Sequence, residues 1–102
     1  MAQEMLQKIK ALADKNRLNL LKLLLHKNYC VKVLAEELEI SESAVSQHLK
    51  ILREADLVIG EKKGYYVHYG VKRENLSQLA DYIEELADIK QVNCKNCNGK
   101  SE

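Results

Sequence analysis

The most reactive groups in this chain are three thiols. Two of them stand near the end as Cys94-Lys95-Asn96-Cys97, and the third, Cys30, stands alone. A Cys-x-x-Cys spacing lets two thiolates grip one soft ion. With Cys30 added, the three sulfurs make a trigonal set for a metal or metalloid. Oxidation is the competing chemistry, in which Cys30 joins Cys94 or Cys97 through a disulfide or polysulfide link. A four-thiolate zinc site made from two tails, or from one tail plus other ligands, is a third use. The bland alternative is a small buried Cys30 and an unstructured tail pair. An odd cysteine count argues against a disulfide framework and makes reduced thiols the default. A helix start at Cys30, with Lys27 and Lys32 nearby, favours its thiolate, and Lys95 does the same for the tail pair. Thiol oxidoreductases place Cys-x-x-Cys at a helix start after a strand, not in a polar tail. No nucleophile–base pair and no glycine-rich phosphate loop stands elsewhere, so the chain reads as a non-enzyme.

A second set of side chains is suited to reading duplex DNA. On a helix from Ser41 to Ala55, Val45, Leu49 and Leu52 fall on the inner stripe. Ser43, Ser46, Gln47 and Lys50 then face outward, with His48 at the edge. Gln can pair bidentately with adenine, Ser can read several base edges, and Lys can take guanine or phosphate. The helix start at Ser41 offers free N–H groups to a phosphate. Lys62 and Lys63 lie at the tip of a predicted hairpin, placed for a phosphate backbone or minor groove, with Arg53 and Lys72 in support. A polar face alone is the ordinary state of a surface helix. The combination of a tight helix pair, an acid-free outer face and a basic hairpin tip carries the reading. Tyr65 and Tyr66 fit either plain strand positions, one packed and one exposed, or DNA contacts.

The elements that must position these groups follow from pattern. Leu6, Ile9, Leu12 and Ala13 predict a helix over residues 3–13. Asp14 caps a second, reaching about His26, with Leu18, Leu21 and Leu25 inward. Residues 27–29 read as a turn. A third helix runs from Val31 to Glu39 with Cys30 at its N-cap, and Val31, Leu34, Ala35 and Leu38 buried. After the Ser41–Ala55 helix, Leu57-Val58-Ile59 begins a strand, Lys62-Lys63-Gly64 turns, and Tyr65 to Val71 pairs back. A last helix covers about Glu74 to Lys90, striped by Leu76, Leu79, Ile83 and Leu86. The expected fold is mostly α with a β-hairpin wing, a winged helix-turn-helix. Residues 1–90 form the domain and residues 91–102 a Cys-containing tail.

Composition sets the bounds. The 102 residues suffice for one domain, with 46% apolar and 30% charged residues and no Pro, Phe or Trp. The formal charge is +1, but its distribution is uneven. Residues 1–30 carry +4 and residues 41–73 carry +2, while residues 74–89 carry −5. A basic body is thus set against one acidic helix. No apolar run approaches the ~18–20 residues of a membrane span, and the start shows no signal-peptide pattern. A cytoplasmic protein with no membrane partner is expected.

Two stretches carry a family resemblance. Ala11-Leu12-Ala13-Asp14-Lys15-Asn16-Arg17-Leu18 resembles the "ALADPTRL" opening of the ArsR family of winged-helix repressors (the ArsR/SmtB type). Residues 41–58, with Val45-Ser46-Gln47-His48-Leu49-Lys50 at their centre, resemble that family's "VSxHLKxLREAGLV" signature. The resemblance covers residues 6 to about 90. Asp56 departs from a usual Gly, at a small expected cost in a left-handed position. Tyr65 departs from a usual Arg, which weakens or shifts the wing contacts. The resemblance implies a homodimer joined through its first and last helices. It implies a repressor bound to an imperfect inverted repeat in its own operator and released by an inducer.

The same resemblance bears on the thiols. The family's "Glu-Leu-Cys-Val-Cys-Asp-Leu" box is represented by Asn28 to Leu34, which keeps Cys30 but has Lys32 for the second cysteine. The family's zinc site on the last helix aligns with Arg73, Asn75, Leu86 and Ile89, none of which can serve. The tail is therefore expected to supply the missing ligands. Cys30, Cys94 and Cys97 match the trigonal preference of As(III) or Sb(III), and As(III) is favoured over Zn(II). Thiol redox or persulfide sensing by the same residues is the alternative. His26 and His68 read as surface or strand residues rather than ligands.

Overall fold

A computed structural model describes residues 2–95. Helices α1 (Ala2–Leu12) and α2 (Lys15–His26) are followed by a two-residue strand β1 (Tyr29–Cys30). Helices α3 (Val31–Leu38) and α4 (Glu42–Glu54), strands β2 (Val58–Lys63) and β3 (Tyr66–Val71) and helix α5 (Arg73–Ala87) complete the order. The sheet is antiparallel throughout, in the order β1-β3-β2. This is the expected winged helix-turn-helix, with one strand more than the hairpin.

Leucine builds the core. Leu20, Leu34, Leu49, Leu52 and Leu57 are sealed from solvent, as is Val45. The inner stripe of α4 is the expected one. That of α2 is not, because Leu20, Leu21 and Leu24 are buried while Leu18 is 39% exposed. Six leucines among residues 18–25 leave the spacing too dense to select a face. On α1 the inward residues are Met5, Lys8 and Ala11, and Leu6 and Ile9 are exposed.

Local chemistry sets the corners. Asp14 accepts the Arg17 N–H at 3.1 Å and starts α2. Glu39 turns left-handed (φ 56°) between α3 and α4, and Ser41 Oγ accepts the Ala44 N–H at 3.0 Å to cap α4. Asp56 also adopts a left-handed backbone (φ 63°) just past α4. Its carboxylate offsets that cost by pairing with Lys72 Nζ, while Asn75 Nδ2 donates to its carbonyl at 2.7 Å. The departure from Gly therefore ties the end of α4 to the start of α5. The hydrogen bond from Lys72 holds the Asp56 carboxyl below the usual carboxylate range.

The wing is thinner. Only Val58 of β2 is buried, and Gly64 (φ 68°) makes the tip. At Gly60 the ring of Tyr69 lies close, such that a Cβ there would stand 2.9 Å from its Cε2 atom and 3.1 Å from a Val67 methyl. Residues 27–29 do not form the expected isolated turn. Tyr29 and Cys30 pair with Tyr69 and His68. Helix α5 ends at Ala87 rather than Lys90.

Candidate nucleic-acid interface and thiol groups

The outer face of α4 holds Ser43, Ser46, Gln47 and Lys50, all exposed. The buried stripe of Val45, Leu49 and Leu52 on the opposite side fixes which way they point. Ser41 is exposed too; its Oγ accepts in the helix cap, which leaves its O–H and the neighbouring backbone N–H groups at the start of α4 to meet a phosphate. Lys62 and Lys63 end β2 on the solvent side, with Lys63 Nζ 3.9 Å from Glu61. Tyr65 at the tip is 98% exposed and Tyr66 59%, so neither is the packed strand residue that one reading allowed.

His48 is half-buried, and its contacts explain why. Its Nδ1 lies 3.4 Å from Arg17 Nη1 and 4.0 Å from Asp14 Oδ2. Arg17 also donates from Nε to the Ala11 carbonyl at 2.6 Å and from Nη2 to the Lys10 carbonyl at 3.5 Å, satisfying the end of α1. One guanidinium thus joins α1, the α2 corner and α4. The Arg17 N–H, with the nearby charge of its side chain, holds the Asp14 carboxyl below its usual range. Sequence reasoning assigned Asp14 to the cap but missed Arg17. Its presence within the "ALADPTRL"-like stretch was the available signal.

Cys30 is half-buried at the junction of β1 and α3, and its side chain makes no capping bond. Cys94 is exposed after α5. Cys97 lies outside the described residues. Among the described residues, no three His, Cys, Asp or Glu side chains are grouped to hold a metal ion. No helix among them is long and apolar enough to cross a membrane.

A tight helix pair with an outward polar helix and a basic wing defines a winged helix-turn-helix DNA-binding regulator. Comparison with known proteins makes this specific. The sequence pattern of bacterial regulatory proteins of the arsR family matches residues 14–59. The arsenical resistance operon repressor of Bacillus subtilis is 40% identical over 84 residues, covering 81% of this chain and 78% of that protein. An ArsR-like transcriptional regulator from Rhodococcus sp. RHA1 superposes with a TM-score of 0.78 at 27% identity, covering 84% of this chain and 81% of the other. A homodimeric winged helix-turn-helix DNA-binding domain from Mycobacterium bovis, a possible ArsR-family regulator, gives 0.72 at 25% identity, covering 85% and 81%. The chain belongs to the arsR family of bacterial regulatory proteins and is a regulator rather than an enzyme.

Proposed function

We propose that the chain is a cytoplasmic, homodimeric transcriptional repressor. It binds double-stranded DNA at an imperfect inverted repeat and releases it when an inducer reaches its thiols. The observation that carries the DNA half is the α4 face, on which Ser43, Ser46, Gln47 and Lys50 are exposed together with no acid among them. Ser46 and Gln47 read base edges, Ser43 supports them, and Lys50 with Lys62 and Lys63 holds phosphates. His48, at the edge of this row and against Arg17, lies beside them. A two-fold pair of such helices, one helical turn or ~34 Å apart, suits an inverted repeat.

The dimer reading rests on apolar surface. Leu6 and Ile9 of α1, with Ile83 and Leu86 of α5, are 37–51% exposed on two helices that pack on each other. The Mycobacterium bovis neighbour is itself homodimeric. The domain spans residues 1–90, and residues 91–102 serve as the thiol-bearing tail. The inducer is a thiophilic metalloid such as As(III), taken by Cys30, Cys94 and Cys97. The name of the Bacillus subtilis relative supports this choice over Zn(II).

The test is a gel-shift titration on the DNA upstream of the coding region across a salt series, followed by native mass spectrometry of the dimer with As(III), Zn(II) or an oxidant. A selective, salt-dependent shift that As(III) reverses, with one As(III) per chain, is expected. Cys94→Ser should leave DNA affinity intact and abolish release. Absence of a selective shift would remove DNA binding. Release by oxidant alone would replace the metalloid with redox sensing.

A further inference from the structure

Helix α1 turns a lysine inward. Lys8 is only 8% exposed, and among the described residues it makes no hydrogen bond or ion pair. Buried lysines are ordinarily paired, because an ammonium taken from water without a counter-charge is costly. Its nitrogen is not sealed, since the one sealed side-chain polar atom without a partner among the described residues belongs to His68. The buried stem therefore leads to a head that opens into a cleft of about 280 Å³ between α1, the end of α4 and the start of α5. Asp56 borders this cleft, but its two oxygens are taken by Lys72 Nζ and by Asn75 Nδ2 at 3.0 Å. Glu4 and Glu54 stand exposed at the rim, and neither forms an ion pair among the described residues. Gln7 and Gln78 add carboxamides, and Ala55 is the single apolar residue of the lining. Glu4, Gln7 and Lys8 share one side of α1, whereas Leu6 and Ile9 lie opposite. Apolar packing through Leu6 and Ile9 therefore does not use the cleft side of the helix.

We propose that this cleft binds a small zwitterion of the α-amino acid class, with its carboxylate on Lys8 and its ammonium on Glu4 or Glu54. Both ends follow from charge. A simple anion would match Lys8 but meet the carboxylates of Glu4 and Glu54. A simple cation would match those carboxylates but meet the ammonium of Lys8. One dipolar molecule satisfies both, through charge-assisted hydrogen bonds at each end. The carboxamides of Gln7 and Gln78 suit an uncharged polar side chain, and so small and polar a lining does not suit the apolar ligands of larger pockets. The occupant rests against Glu54 and Ala55, at the end of the helix that carries Ser46 and Gln47. The site shares no residue with the thiol set or the DNA-facing row, so it stands or falls apart from both.

The experiment is a titration of the reduced full-length protein with L-glutamine and with L-serine, read by backbone amide NMR shifts and by isothermal calorimetry. Acetate and putrescine serve as probes that carry one kind of charge each. The proteins are wild type, Lys8→Met and the double variant Glu4→Gln with Glu54→Gln, with circular dichroism as the control for folding. Wild type should bind at least one of the two amino acids saturably, with the largest shifts at residues 4–8, 54–56 and 75–78. Acetate and putrescine should bind at least ~10-fold more weakly, and each variant should lose at least ~10-fold in amino acid affinity, the effect of removing one hydrogen-bonded charge. The double variant changes only exposed side chains, so it folds even where Lys8→Met does not. Putrescine bound as tightly as the amino acid would overturn the zwitterion in favour of a cation, and acetate bound as tightly would overturn it in favour of an anion. No saturable shift at the cleft with either amino acid, or unchanged affinity in the double variant, would overturn the site itself.

Discussion

Helix α4 and the wing both face the proposed DNA, yet they are held in different ways. Three side chains of α4 are sealed in the core, its first turn is capped by Ser41, and Arg17 braces His48 behind it. Strand β2 is anchored by Val58 alone, and its other five residues are exposed. Base readout needs donors and acceptors placed to within a few tenths of an ångström, whereas attraction of a cation to phosphate tolerates movement. The rigid element accordingly carries Ser46 and Gln47, and the loosely held one carries Lys62 and Lys63.

That contrast can be broken experimentally. Leu49→Ala, at the inner side of α4, should cost about 2–5 kcal/mol in urea unfolding, while Ile59→Ala, 53% exposed on β2, should stay within about 0.5 kcal/mol. Equal losses would mean that the wing is as firmly anchored as the helix. Next in size, Gln47→Ala should cost about 1–3 kcal/mol of discrimination between operator variants in fluorescence anisotropy. Lys63→Ala should instead weaken all duplexes alike and reduce the salt slope by about 1. Selectivity untouched by Gln47→Ala would move base reading away from α4. Ser41→Ala should cost about 1 kcal/mol of stability through the lost cap.

The smallest effect concerns acid. The Asp56 carboxyl is held below its ordinary range chiefly by Lys72, so its contribution is present above the unfolded value and fades as pH falls through the folded one. Asp56→Asn keeps a residue that tolerates the left-handed backbone but removes this dependence. Its melting temperature should fall less steeply than that of wild type on acidification. Superimposable acid limbs would show that the exposed ion pair contributes nothing measurable.

Much of α4 was legible because its buried Val45, Leu49 and Leu52 recur at helical spacing and Ser41 announces its start. Strand β1 was not, since two residues are too few to show a period of two, and only pairing with β3 defines them. The face of α2 was hidden by its surplus of leucines. Burial of Lys8, 8% exposed on α1 beside the Asp56 carboxylate, runs against the usual exposure of lysine and has no local sequence signal. Spacing put His48 at the edge of the outer face of α4. Its true setting depends on Arg17, thirty-one positions away. The site residues that sequence could place are those whose direction a single helix dictates. Those that it could not place answer to neighbours far along the chain.

Residue 60 offers no room for bulk. Even a methyl group there would collide with the Tyr69 ring, whose own backbone is stitched to Tyr29 on the far side. Tyr29 immediately precedes Cys30. A disturbance as small as one carbon atom in β2 would therefore press first on the strand partner of the residue beside the thiol, which makes this glycine the narrow waist between the wing and the sulfur.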